Sequence, residues 1–169
     1  MRIAGLIVLI LLILVCAVFV VGWRLPVEHR AVREASISAP PESVFALIDR
    51  PAEYPRWRSD VKRVELLPAV DGHSQFREVG SNGAILYRIE QSTPPSRLVT
   101  RIADPKLPFG GTWTYDVIPG GTSTTLRISE NGEVYNPMFR FVSRYLIGET
   151  RTIDRYLADV TRAATHKSP

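Results

Sequence analysis

From Val61 to Tyr135 the chain reads with a period of two. "VKRVELLPA", "HSQFREV", "AILYRIEQS", "SRLVTRIAD", "GTWTYDVIP" and "TSTTLRISENGEVY" are six successive stretches of strand character. They are separated by "VDGH", "GSNG", "TPPS", "DPKLPFG" and "PGGT", which carry the Gly, Pro, Asn and Asp of turns. Separators this short join antiparallel neighbours, because a parallel crossover needs about a dozen residues or more. The pattern therefore predicts a meander and excludes a βαβ array.

A half-apolar sheet needs cover on one face, and both flanks of the meander supply helix. Downstream, "NPMFRFVSRYLIGETRTIDRYLADVTRAA" opens with Asn136 as N-cap and Pro137 at the first helical position. Met138, Phe141, Val142, Tyr145, Leu146, Ile153, Tyr156, Leu157 and Val160 recur at three and four, which predicts one long amphipathic helix. Gly148 interrupts it and marks a kink or a close contact. Upstream, "VEHRAVREASISA" predicts a strand halted by Pro40 and Pro41. "PESVFALID" then predicts a short helix closed by Pro51, and "PAEYPRW" holds at most one further turn.

The N-terminus is of another kind. "IAGLIVLILLILVCAVFVVGW", Ile3 to Trp23, carries no charge, and a helix of about 20 such residues spans a hydrocarbon core. A cleaved secretory signal competes with a retained anchor, but its apolar region is usually about 7 to 15 residues and ends in a small-x-small site, which is missing here. The expected organisation is a transmembrane anchor over residues 1–25 and one domain over 26–169. Trp23 fits an interfacial aromatic, and Arg24, Arg30 and Arg33 follow the span while only Arg2 precedes it. The positive-inside rule then gives a single-pass membrane protein with a cytoplasmic C-terminal domain. Cys16, the one cysteine, lies inside the span, so the domain has no disulfide. The net charge of +4 comes from basic residues scattered among acids, without the cluster that a nucleic-acid face needs; no nucleic-acid partner is expected.

This order of elements, with "ISAPPESVFALIDRPAEYPRWRSDVKRVELL" from Ile37 to Leu67, resembles the START-like superfamily, also called SRPBCC or polyketide cyclase/dehydrase-like. The resemblance covers Glu28 to Ala164. It implies an α+β helix-grip fold: a curved antiparallel sheet of about seven strands wrapped around a long C-terminal helix, here preceded by one transmembrane helix. It also implies a cavity between sheet and helix, in a superfamily that includes lipid-transfer proteins, quinone-binding proteins, aromatases/cyclases, ring-hydroxylase subunits and hormone receptors. Fold in such a superfamily does not dictate function.

Strand parity assigns the expected lining. Ile85, Tyr87 and Ile89 share a face, as do Trp113, Tyr115 and Val117, Leu98, Thr100 and Ile102, and Leu126 and Ile128. Phe139 or Phe141, Tyr145 and Leu146 are expected to face them from the helix. Tyr54 and Trp57 are expected at the rim by the resemblance, with a plain packing role for Trp57 as the alternative. The expected ligand is a hydrophobic small molecule, whether lipid, quinone or polyketide-like, delivered from or to the bilayer.

Signals for catalysis are sparse. His29, His73 and His166 have no metal-ligand spacing, "FGGT" and "PGGT" read as turns or bulges rather than phosphate loops, and no cofactor or catalytic residue is assigned. Glu130 and Glu149 could face the interior, where a carboxylate can act as acid or base, with a salt bridge to Arg101 or Arg151 as the commoner fate. Two alternatives stand beside the binding protein: a cyclase/aromatase-like enzyme using Tyr87, Tyr115, Glu130 or Arg101, and a fully packed interaction module.

Overall fold

The computed structural model describes residues 2–148 and 150–166. Helix α1 (Arg2–Arg24) is long and apolar enough to cross a membrane, and its apolar window is not buried against the rest of the chain. Strand β1 (Glu28–Ile37) comes almost at once after it. Helix α2 (Pro41–Ile48) begins with Pro41 in its first turn, where no backbone donor is lost, and with Glu42 near the positive end of the dipole. Pro51 and Pro55 then split the next residues into a 3₁₀ turn (Pro51–Glu53) and the single turn α3 (Tyr54–Trp57).

Six strands form the meander: β2 (Val61–Val70), β3 (His73–Gly80), β4 (Gly83–Thr93), β5 (Arg97–Ile102), β6 (Phe109–Gly120) and β7 (Ser123–Val134). With β1 they make one antiparallel sheet in the order β1-β7-β6-β5-β4-β3-β2. Strand β1 pairs with β7 from Glu28 opposite Glu133 to Ile37 opposite Thr124. The β2–β3 turn holds Asp71 and Gly72 both at positive φ, the geometry that a tight twisted hairpin requires and that these two residue types tolerate.

The core lies where α2 and helix α5 (Arg151–His166) cover the concave face. Ile153, Tyr156, Leu157, Val160 and Ala164 are buried at helical spacing against Ile37, Val44, Leu98, Val117, Leu126 and Ile128. Each fully buried aliphatic side chain contributes about 1.5–3 kcal/mol. Asp159 locks α5 to the sheet's entry, its Oδ2 accepting from the Ser59 backbone N–H at 2.7 Å and hydroxyl at 2.8 Å.

The single long C-terminal helix expected from the sequence is divided. Asn136 caps helix α4 (Pro137–Val142) by accepting from the Phe139 N–H, a π turn (Ser143–Ile147) comes next, and Gly148 breaks the path at φ 85°, ψ 142° before α5 begins. A residue with a Cβ resists that conformation. The apolar positions of 138–146 and of 153–160 therefore belong to two elements, not to one stripe. Segment α4 packs chiefly on α1 and meets the sheet only at its β6–β7 side: a methyl on Gly22 would overlap the Pro137 carbonyl, and Arg140 donates to the Leu25 carbonyl at 2.6 Å. Phe141 is half-buried with its ring tilted against Tyr145, while Tyr145 (58% exposed) and Leu146 (72%) face outward, so the expectation that Tyr145 and Leu146 face the sheet is corrected.

Candidate functional site

Between α3, the β3–β6 part of the sheet and the start of α5 lies a cavity of about 50 Å³. Four tyrosines surround it, Tyr54 from α3, Tyr87 from β4, Tyr115 from β6 and Tyr156 from α5, with Ile85, Thr100 and Trp113. Strand alternation aims Ile85, Tyr87, Thr100, Trp113 and Tyr115 inward, as their parity predicts. At one wall is a cluster of charge. The Arg58 guanidinium meets Asp60 in a two-pronged pair (Nε to Oδ1 3.1 Å, Nη2 to Oδ2 2.9 Å) and Glu78 through Nη1 at 2.7 Å. It lies over the rings of Tyr54 and Tyr156, at 5.2 and 5.0 Å from their centroids.

One guanidinium faces two carboxylates, and the imbalance shows in their proton affinities. Burial opposes the Arg58 charge, but Glu78 and Asp60 outweigh it and hold the side chain protonated. Burial pushes the Glu78 carboxyl up, against the pull of Arg58 and with help from Asp60. All four tyrosine hydroxyls are raised, burial being the first cause in each. They stay protonated through the physiological range. Tyr54 donates to the Ile48 carbonyl at 2.6 Å, while the buried Tyr156 hydroxyl, close to those of Tyr54 and Tyr115, has no hydrogen bond of good geometry.

The remaining sequence candidates take other places. Trp57 stands edge-on between Tyr54 and Tyr156, both 5.4 Å away, and packs with Ile89 against the core instead of lining the cavity; its indole N–H is buried without a partner among the described residues. Leu126 and Ile128 are fully buried beneath the helices. Arg101 pairs with Glu133 at 3.6 Å, and Glu130 sits 4.0 Å from His29, both away from the cavity. Glu149 lies outside the described residues. Arg58, Asp60, Glu78 and Tyr156 are site residues that the sequence reading misses. Two of them carry a usable signal: Glu78 shares a strand face with Phe76, and Arg58 stands four residues beyond Tyr54.

The cavity lies between the sheet and the start of α5. A model of the family "polyketide cyclase / dehydrase and lipid transport" matches residues 28–165, and the chain belongs to this family of START-like, helix-grip proteins. Among solved structures it resembles a START superfamily protein from Mycobacterium smegmatis (TM-score 0.67, 16% identity, covering 83% of this chain and 99% of the other). It is similar to a protein of Thermus thermophilus (0.69, 19%, 83% and 100%). It also resembles the Zhui aromatase/cyclase of a Streptomyces species (0.66, 12%, 83% and 95%). At these identities the likeness is one of fold. No curated protein matches the chain in sequence.

Proposed function

We propose that the chain is a membrane-anchored binding protein: residues 1–25 form a retained single-pass anchor, and residues 26–169 hold a hydrophobic small molecule between sheet and helix. The family and the apolar length of α1 support this reading. The arginines after the span favour the cytoplasmic side for the domain. The observation that carries the proposal is the buried Tyr156 hydroxyl, left without a well-formed hydrogen bond beside other protonated tyrosines at the wall of a cavity. A buried donor wholly unsatisfied costs about 1–3 kcal/mol, and a ligand that accepts from a poorly paired one recovers part of that energy.

The cluster also selects the chemistry of that ligand. Arg58 is already engaged by two carboxylates, and an anionic head would meet their excess negative charge. The head that fits is a neutral acceptor oxygen, a quinone or ketone carbonyl. The cavity accommodates such a head alone, and an apolar remainder extends toward the mouth formed by Asn82, Gly83 and Thr152 as those segments part.

The test is native mass spectrometry of the full-length protein taken from its membrane, followed by organic extraction. A discrete neutral carbonyl compound is expected, and Tyr156→Phe should weaken its binding by roughly fivefold, the worth of about 1 kcal/mol. An empty protein, or one carrying bulk phospholipid alone, overturns the reading. The raised proton affinity of Glu78 favours one second reading, an enzyme in which this carboxyl donates a proton to the bound carbonyl. In that case Glu78→Gln abolishes turnover while affinity is kept.

A further inference from the structure

We infer that the mouth of the cavity faces the bilayer itself, beside an apolar rim made by α4 and the π turn that lies in the lipid headgroup region. The inference rests on the anchored reading of α1. Its first support is topological. Strand β1 starts at Glu28, four residues after α1 ends, so that end of the sheet is next to the membrane. The antiparallel register carries the same end across the sheet, through Val134 opposite Phe109, Arg101 opposite Thr112 and Tyr87 opposite Ile102, to Gly83 opposite Gly80 and Gly80 opposite Val61. Of the cavity lining, Asp60, Val61, Gly80, Asn82 and Gly83 belong to that end, Asn82 and Gly83 at the mouth.

The second support is the rim. Its α4 segment is held at the exit of α1 by the close Gly22–Pro137 approach and by the Arg140 bond to Leu25. On that level Trp23 (67% exposed), Tyr145 and Leu146 are uncovered, with Met138 and Phe139 also exposed and Phe139 stacked on Phe109 at 6.1 Å. Large uncovered apolar and aromatic side chains continuous with the end of a membrane helix are suited to the interface, where ring and polar tip divide between acyl chains and water. The break at Gly148 is what releases this segment from α5 and turns it toward α1. Thr152, on the mouth, is five residues past Ile147, so the rim and the mouth are no more than about 18 Å apart along the chain. An apolar ligand could then pass between bilayer and cavity without crossing bulk water.

Depth-dependent quenching tests this on the full chain in nanodiscs of phosphatidylcholine and phosphatidylglycerol. In a Cys16→Ser background, a fluorophore is placed singly through Phe19→Cys, Leu146→Cys or Thr122→Cys, the last at the β6–β7 turn of the opposite sheet end. The quencher is a nitroxide lipid labelled at the headgroup or on the acyl chain. The expected result is loss of fluorescence at 19 with the acyl label, loss at 146 with the headgroup label, and none at 122. Quenching at 19 with none at 146 overturns the rim while leaving the anchor intact. An unquenched 19 removes the anchored reading and the rim with it.

Discussion

Arg58 shows how a single side chain sets both the stability and the chemistry of the interior. It satisfies two carboxylates at once and stands under two aromatic rings, so removing it leaves Asp60 and Glu78 buried without a cation. Arg58→Met should destabilise the protein by about 3–5 kcal/mol, read as the shift of a urea unfolding midpoint for the full chain in detergent. Glu78 gives the pH dependence. Its folded-state carboxyl is raised above its unfolded value, near 4.3 for a free glutamate, so the native state binds the proton more tightly. Its contribution is complete below that unfolded value and is lost as pH rises through the folded one. Urea midpoints measured against pH should therefore fall more steeply above about pH 4.3 in the wild type than in Glu78→Gln. Parallel profiles would show that Glu78 is not buried in the charged cluster as described. Asp159 acts oppositely: burial works against its charge, but hydrogen bonds from Ser59 and Arg162 more than compensate and lower it, so its contribution is lost as pH falls through the folded value.

At the scale of elements, the decisive feature is the division of the C-terminal helical region. Gly148 takes a backbone conformation outside the reach of most residues, and Gly148→Ala should cost about 1–3 kcal/mol by chemical denaturation if the break is kept. A gain in stability would mean that a continuous helix is accessible. The contact of α4 with α1 depends on Gly22 in the same way. Gly22→Leu should separate the two helices and expose the 137–147 segment to limited proteolysis, while the sheet domain stays folded. The periodicity at 138–146 correctly marks a helical, apolar segment, but periodicity carries no information about the partner. The same spacing that packs α5 on the sheet seats α4 beside α1.

For the molecule as a whole, the ring of aromatics around the cavity is where the binding protein and the packed module predict different outcomes. Trp113 touches both Tyr115 and Tyr156 at the cavity wall. Trp113→Ala should cost about 3–5 kcal/mol as large core aromatics do. On the binding reading it should also reduce retention of the co-purifying molecule; a stability loss with retention unchanged would favour the packed module. What the sequence alone determined is the order of elements, the antiparallel meander, the inward faces of β4, β5 and β6, and the apolar span, because period, turn chemistry and proline sterics are local. What the tertiary structure decided is everything that depends on distance through space. It brought Arg58, just past α3, Glu78 of β3 and Tyr156 of α5 to one point. It gave Trp57 the packing role of its two alternatives and left Tyr145 and Leu146 facing outward. Burial, charge pairing and the choice of a packing partner arise only when segments remote in the chain meet, and no local pattern encodes which of them will.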